Sequence, residues 1–517
     1  MLHTLRAHSV ALFRHIGAFL LLMAEAVRSP IYDRATYRQN LARQMRQIGV
    51  ESLPIVAVAA AFTGGVTTEQ TIYQMRYPLI PESTIGAIVV PSVILEFGAL
   101  ITAFILAGRV SARIAAELGS MRIGGQIEAL DVMGVSASGY LVLPRVLAGV
   151  LTFPLLYVVA STVGSAAGLG IAAASGDVTT AQFLAGARSF FTGFMAVYGL
   201  VKAVVFGFLI TAIPCYVGFH ADGGGAGRGP ERHAGGGGRL YVRPGCRLPP
   251  RPAHAVSGPF GASSRPSQPP LLSMIEVENV HKAFGDTEVL TGVDLEIEDC
   301  NLFAIIGHSG SGKSVLLRHL VGLLQPDRGA VRVGGTNLAG LPDDDLEAVR
   351  RRFGMLFQGG ALFDSMTVYD NVALPLRLLD DRSDTEIEER VMTELERVEI
   401  AGAANQMPAS LSGGQVKRAS LARAIVREPK YLFYDEPSSG LDPRTSGVID
   451  TLIQRLSETL CRMGIMVTHD MHSVLSIADK VGFLHEGTMR FVGSVKELRR
   501  CDDPVLYEFM EANAYEL

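Results

Sequence analysis

Three short stretches in the second half of the chain could do chemistry together: GHSGSGKS at 307–314, LSGGQ at 411–415 and YLFYDE at 431–436. The first has the form G-x-x-x-x-G-K-S and stands between a strand-like run, NLFAIIG, and a helix-like run, VLLRHLVGLL. Glycines leave backbone N–H groups unobstructed at a helix N-terminus, where they can surround phosphate oxygens. The candidate cradle is Gly307, His308, Ser309, Gly310, Ser311, Gly312, Lys313, Ser314 and Val315. Within it, Lys313 would bridge the β- and γ-phosphates of ATP and Ser314 would ligate Mg2+. YLFYDE is an apolar run ending in two carboxylates, of which Asp435 suits the metal and Glu436 suits polarising an attacking water. That set of groups would hydrolyse the terminal phosphate of a bound nucleotide.

The elements that must hold these groups are legible around them. From Met274, MIEVENVHKAFGDTEVLTGVDLEIEDC alternates apolar and polar residues with turn residues between, which predicts strands of a small antiparallel sheet. Residues 274–517 carry the charge of a soluble domain and predict an α/β phosphate-loop NTPase domain.

The first half is of another kind. At 517 residues the chain predicts two to four domains, and residues 50–218 are poor in charge and rich in Ala, Val, Leu, Ile and Gly. The net charge of −5 averages these unlike halves, so it says nothing about partners. None of the five cysteines forms a C-x-x-C pair, which argues against a zinc site or disulfide framework and for a reducing compartment. Four stretches, about 50–68, 84–108, 142–174 and 189–218, are apolar enough to cross a bilayer as helices. The first 27 residues, interrupted by Arg14 and His15, read as an amphipathic interfacial helix rather than a signal peptide. Arg28, Arg34, Arg38, Arg43 and Arg46 before the first span, with Arg109, Arg113 and Arg122 after the second, place the N-terminus in the cytoplasm. Glu96 and Lys202 fall inside spans, where each would line a headgroup path, or else be neutralised (Glu96) or snorkel to the interface (Lys202). Gly164 and Gly168 form a small-x-x-x-small pair suited to close helix packing.

Two resemblances follow. RVSARIAAELGSMRIGGQIEALDVMGVSASGYLVLPR, residues 109–145, mixes charged and apolar residues as a short helix across the cytoplasmic face would. It resembles the signature region of permease subunits of maintenance-of-lipid-asymmetry (Mla) transporters, associated with Mce proteins, and the likeness extends over most of 40–219. That resemblance puts Glu117, Gln126, Glu128, Ala129, Leu130 and Arg145 around a coupling helix that docks on an ATPase. LSGGQ, with the motifs flanking it, resembles the signature of ATP-binding cassette (ABC) ATPases, and FGMLFQGGALFDSMTVYDNVALPL at 353–376 resembles the ATPase partner of the same permeases. The family implies roles for further residues: Gln358 as the γ-phosphate-sensing glutamine and a metal ligand, His469 as the switch histidine, Asp442 in the D-loop after Ser439, Gly440 and Leu441, and Phe284 stacked on adenine. It also implies that Ser412, Gly413, Gly414 and Gln415 complete the site of a second copy, so that one cassette per chain means a homodimer. Cys300-Asn301 departs from the family, which usually has Gly before the phosphate-loop strand.

The expected organisation is therefore multidomain. An all-α membrane domain of about four spans plus an interfacial helix occupies 1–219, a Gly/Pro/Arg-rich linker 220–273, and an ABC ATPase domain 274–517. HADGGGAGRGPERHAGGGGRLYVRPGCRLPPRP, at 220–252, has no periodicity and predicts a flexible segment. It stands where the permease family has a fifth span, and it reads like a GC-rich gene in a wrong frame, with Met274 as an independent start. The resemblances imply an ATP- and Mg2+-dependent half-transporter in a bacterial inner membrane with its ATPase domain in the cytoplasm. It would move phospholipid between the membrane and a periplasmic Mce-domain carrier beside a small cytoplasmic regulatory subunit, with no nucleic-acid partner. The rival expectations are an ABC transporter of another substrate class and an ATPase tethered to a non-transporting anchor.

Overall fold

The computed structural model describes residues 2–29, 32–75, 81–221, 274–298, 302–460 and 463–513. The described residues form two compact units, one drawn from 2–18, 128–135 and those from 274 onward and the other from those of 19–127 and 136–221.

Helices α1 (Leu2–Arg28), α2 (Arg34–Ile48), α3 (Leu53–Gln74), α4 (Ser83–Ser92), α5 (Gly98–Leu106), α6 (Ala112–Ile123), α7 (Gln126–Val132), α8 (Leu143–Ser175), α9 (Thr180–Phe190) and α10 (Gly193–Phe219) come first. Among the described residues, four continuous helical runs are long and apolar enough to span a membrane: Arg34–Gln74, Ser83–Ile123, Ser138–Ser175 and Gly193–Phe219. The first runs past the expected end at 68, because Gly64 and Gly65 lie inside α3 at a packing face. A Cβ on Gly64 would collide with the Gly164 carbonyl, and one on Gly168 would lie 2.6 Å from Thr68 Oγ1. The small-residue pair on α8 thus lets α3 approach backbone to backbone.

Two other boundaries differ from expectation. Of 109–145, the residues up to Ile123 continue the second run as α6, whose Ile114, Leu118 and Met121 are buried at helical spacing, those from Ser138 open the third run, and the expected short helix is α7. The fourth span begins at Gly193 rather than 189, because Phe191 and Thr192 are extended and separate it from α9. The Thr179–Gln182 capping box fixes the start of α9 as a helix of its own.

The second run carries an irregularity of consequence. Two residues after Pro91 it opens into a π-turn, Val93–Phe97. A wide turn beside a missing N–H frees carbonyls, which in hydrocarbon must be satisfied by the protein itself. Tyr157 Oη donates to the Ile94 carbonyl at 2.9 Å, and Lys202 Nζ donates to that of Leu95 at 3.1 Å. Lys202 Nζ also lies 2.6 Å from Glu96 Oε2 and 4.7 Å from the centre of the Tyr198 ring. The two charged span residues, read separately in the sequence, are thus one ion pair.

In the other unit, β1 (Ile275–Phe284), β2 (Thr287–Ile297), β4 (Arg328–Val333) and β5 (Thr336–Asn337) form an antiparallel sheet in the order β2-β1-β4-β5. β3 (Leu302–Ile306), β6 (Phe353–Leu356), β7 (Tyr431–Asp435), β8 (Met463–Val467), β9 (Lys480–His485) and β10 (Thr488–Ser494) form a second sheet, ordered β10-β9-β3-β8-β7-β6. It is parallel except at β10. Its central strands are near-continuous apolar runs because helices cover both faces. The helices of this unit are α11 (Lys313–Leu320), α12 (Asp343–Arg350), α13 (Val368–Leu379), α14 (Asp384–Arg397), α15 (Gly413–Ile425), α16 (Pro443–Leu460), α17 (Met471–Ile477), α18 (Val495–Leu498) and α19 (Pro504–Asn513). The small antiparallel sheet expected from residue 274 is present, and Cys300-Asn301 lies outside the described residues.

Candidate active site

In an open α/β sheet the crevice beyond the carboxyl ends of the strands is where ligands bind, and the phosphate loop, the carboxylate pair and His469 follow β3, β7 and β8 there. β3 ends at Ile306 and feeds the loop 307–312, in which Gly310 and Gly312 sit at φ +83° and +101°. Side chains rarely adopt these angles, which turn the loop so that α11 starts at Lys313. Lys313 is 7% exposed, and its Nζ donates to the carbonyls of Gly307 at 2.7 Å and His308 at 3.0 Å. Burial pushes its ammonium pKa down, against the pull of Glu436 and Asp435. Ser311 Oγ is buried without a protein partner. His308 stacks edge-on against Phe509 of α19, ring centres 4.9 Å apart.

β7 delivers Asp435 and Glu436 to the same place. Asp435 Oδ1 accepts from Ser314 Oγ at 3.3 Å. Burial raises the Asp435 pKa and the neighbouring Glu436 charge raises it further, with Arg318 and Ser314 opposing. Glu436, 9% exposed, has φ +47°, a conformation uncommon for a side chain of this kind. His469, at the end of β8, places Nδ1 3.0 Å from Glu436 Oε1 and 2.9 Å from Oε2. Ser309 lies within the loop and Val315 in the first turn of α11, where Val315 O accepts from His319 Nδ1 at 2.7 Å.

The residues expected from resemblance are placed as follows. Gln358 Nε2 donates to Ser439 Oγ at 3.4 Å, tying the glutamine loop to the D-loop rather than to Ser314 or Asp435. Asp442 accepts from the backbone and hydroxyl of Thr445, at 3.1 and 2.6 Å, and so caps α16. Ser412 caps α15 in a reciprocal box with Gln415. Cβ atoms on Gly413 and Gly414 would meet Leu441 and Thr445, which puts the signature beside the D-loop of its own chain. Phe284 ends β1 at 46% exposure, with Lys282 Nζ 5.8 Å from its ring centre, and is no core residue.

The donor set fits a magnesium nucleotide. The loop offers backbone N–H groups, an unpartnered hydroxyl and a lysine whose present acceptors are only carbonyls. Ser314 and Asp435 supply hard oxygen donors of the kind magnesium takes.

Three cationic residues escaped the sequence reading. Arg318 Nη2 lies 3.4 Å from Glu128 Oε2, within the unit that holds 128–135 together with the nucleotide domain. In that unit Ala129 and Val132 are buried in the same apolar cluster as Phe353, Met355 and Phe357. Gly134, at φ +76°, ends the segment where a Cβ would press on the Glu347 carbonyl at 2.7 Å. The other two, Lys417 and Arg423, lie buried on α15. Burial lowers the Lys417 ammonium to about 8, with Asp435 and Glu436 opposing.

Comparison with known proteins agrees with this geometry. The family model for permease MlaE matches residues 41–234, and that for the ABC transporter ATP-binding domain matches 290–439. The intermembrane phospholipid transport system ATP-binding protein MlaF of Haemophilus influenzae is 38% identical over 242 residues, 47% of this chain and 92% of that protein. The probable ribonucleotide transport ATP-binding protein mkl of Mycobacterium leprae is 37% identical over 241 residues, 47% of this chain and 70% of that protein. Among solved structures, the dimeric bacterial ABC transporter cassette MJ0796 is 31% identical, covering 43% of this chain and 98% of that one at a TM-score of 0.41. The chain belongs to the ABC transporters, carrying a MlaE permease domain and an ABC ATPase domain in one polypeptide.

Proposed function

We propose that the chain is one half of a homodimeric transporter that spends ATP to move phospholipid between the bacterial inner membrane and an Mce-type carrier. The observation that carries this reading is the union of a MlaE permease domain with a nucleotide unit that includes residues 128–135. The printed name of the H. influenzae relative supports the phospholipid cargo. So does the Glu96–Lys202 pair, a zwitterionic point in otherwise apolar spans that matches the charge pattern of a headgroup.

In this reading Lys313 exchanges its loop carbonyls for the β- and γ-phosphates, and Ser314 and Asp435 hold Mg2+. The metal, when bound, neutralises charge developing on the phosphoryl oxygens. Glu436 orients and deprotonates the attacking water, and His469 holds that carboxylate toward the site. Phe284 stacks on the adenine, Gln358 and Asp442 report the γ-phosphate to the neighbouring copy, and Ser412, Gly413, Gly414 and Gln415 of each copy close the site of the other. Closure driven by the γ-phosphate moves residues 128–135, and the helical runs on either side carry the movement into the spans. A small cytoplasmic regulatory subunit would complete the assembly.

Of the expected linker 220–273, residues 222–273 lie outside the described residues. We read them as the joint between two coding regions, and sequencing the DNA across codons 215–275 tests that: an unshifted frame removes the idea. ATP hydrolysis by the full chain in phospholipid nanodiscs, compared with detergent alone, tests the coupling. Stimulation by lipid is expected; indifference to lipid supports a tethered ATPase instead, and stimulation only by a soluble solute supports another substrate class.

A further inference from the structure

Two buried cations of α15 hold the site from behind. Lys417, 4% exposed, donates from Nζ to the Gln358 carbonyl at 2.6 Å and to the Glu436 carbonyl at 3.1 Å. Arg423, also 4% exposed, donates to the carbonyls of Ala361 at 2.6 Å and Gly360 at 3.0 Å. Of the four acceptor residues, three have positive φ: Glu436 at +47°, Gly360 at +79° and Ala361 at +50°. A side-chain-bearing residue in that region is strained and persists only where its surroundings over-determine it. For Glu436 those surroundings are two hydrogen bonds: its N–H donates to Val467 O at 2.9 Å and its carbonyl accepts from Lys417. On the other loop, Val416 Cγ1 and Ser420 Oγ lie 2.7 and 2.8 Å from where a Cβ on Gly360 would be, so α15 packs directly on it.

Burying an ammonium is expensive unless it is well hydrogen-bonded, and a leucine or methionine would fill the same space without that cost. The cation is therefore placed for what it holds. We propose that Lys417 is a positioning residue for ATP hydrolysis: by gripping the Gln358 and Glu436 carbonyls together it fixes the glutamine loop in register with the water-polarising carboxylate. Arg423 anchors the far side of the same loop. Because α15 begins at the signature, a shift of that helix moves Gln358 and Glu436 as one body. The role rests on Glu436 acting on water, which Glu436→Gln tests separately.

The test uses the full chain in nanodiscs, with steady-state ATP hydrolysis and nucleotide binding measured side by side. Lys417→Met is expected to lower kcat at least tenfold while KM for ATP and the affinity for ATP stay within twofold. Lys417→Arg, which keeps a buried donor, is expected to recover at least a third of the activity, and Arg418→Gln, on the partly buried neighbour that pairs with Glu399 instead of the site, to match the parent. A kcat for Lys417→Met within threefold of the parent overturns the proposal. So does a loss of ATP affinity equal to the loss of kcat, or a Lys417→Arg chain as impaired as Lys417→Met. Should Lys417→Met fail to fold, Lys417→Gln replaces it with the same expected split, and parental kcat there overturns the proposal equally.

Discussion

Asp435 and Glu436 are adjacent carboxylates in a pocket that disfavours charge, and this sets what their replacement does. Burial and the Glu436 charge both raise the Asp435 pKa, so ionised Asp435 opposes folding at neutral pH until a cation arrives. Asp435→Asn is therefore expected to raise the melting temperature of the nucleotide-free protein by roughly 2–4 °C per kcal/mol gained, and to abolish the further rise that Mg-ATP gives the parent. Differential scanning fluorimetry with and without Mg-ATP reads both. Glu436→Gln keeps the shape and hydrogen bonding of the site but removes the base, so ATP binding should persist while kcat falls by a factor of about 100 or more. Phosphate release and nucleotide binding, measured on the same sample, check this. The phosphate loop and the carboxylate pair were legible in the sequence because they are local chemistry written in side chains, whereas His469 was reached only through the family resemblance. Lys417 and Arg423 were not, because their partners are backbone carbonyls, which every residue possesses and which only the fold brings within reach.

At the scale of elements, the spans were legible from hydropathy, but their internal irregularity was not. Nothing in TIGAIVVPSVILEFGALITAFILAG announces that the helix widens at Val93–Phe97 or that Tyr157 and Lys202 take up the Ile94 and Leu95 carbonyls. Pro91 was a signal of disturbance, but not of its form or of its partners. Likewise Glu96 and Lys202 lie 106 residues apart, so only packing could pair them. The glycine face of α3 and α8 makes a stability prediction. Gly64→Val forces a branched side chain into the Gly164 carbonyl and should cost about 1–3 kcal/mol or more, read as a lower melting temperature of the detergent-solubilised chain. The 128–135 segment makes a coupling prediction. Arg318 and Glu128 form a half-exposed pair worth about 1 kcal/mol at most, so Glu128→Arg alone should cut lipid stimulation of hydrolysis by two- to fivefold. Combining it with Arg318→Glu should restore part of that stimulation, in a double-mutant cycle on hydrolysis rates.

At the scale of the whole molecule, one nucleotide domain per chain and a signature set beside its own D-loop call for a second copy. The full chain carrying Glu436→Gln should run as a dimer with Mg-ATP by light scattering, and a strictly monomeric particle would leave the signature without a site to complete. The permease half was legible as a family because QIEALDVMG and its flanks resemble the family's signature region, and residues 128–135 belong to the unit that holds the nucleotide domain. Residues 220–273 carry no such pattern. The most direct test of ATP-driven lipid movement follows fluorescent phospholipid passing from proteoliposomes that contain the full chain to an Mce-type acceptor protein. The account predicts transfer that requires hydrolysable ATP and Mg2+ and stops in the Glu436→Gln chain. Transfer at the same rate without ATP, or hydrolysis that proceeds with no transfer at all, would contradict it.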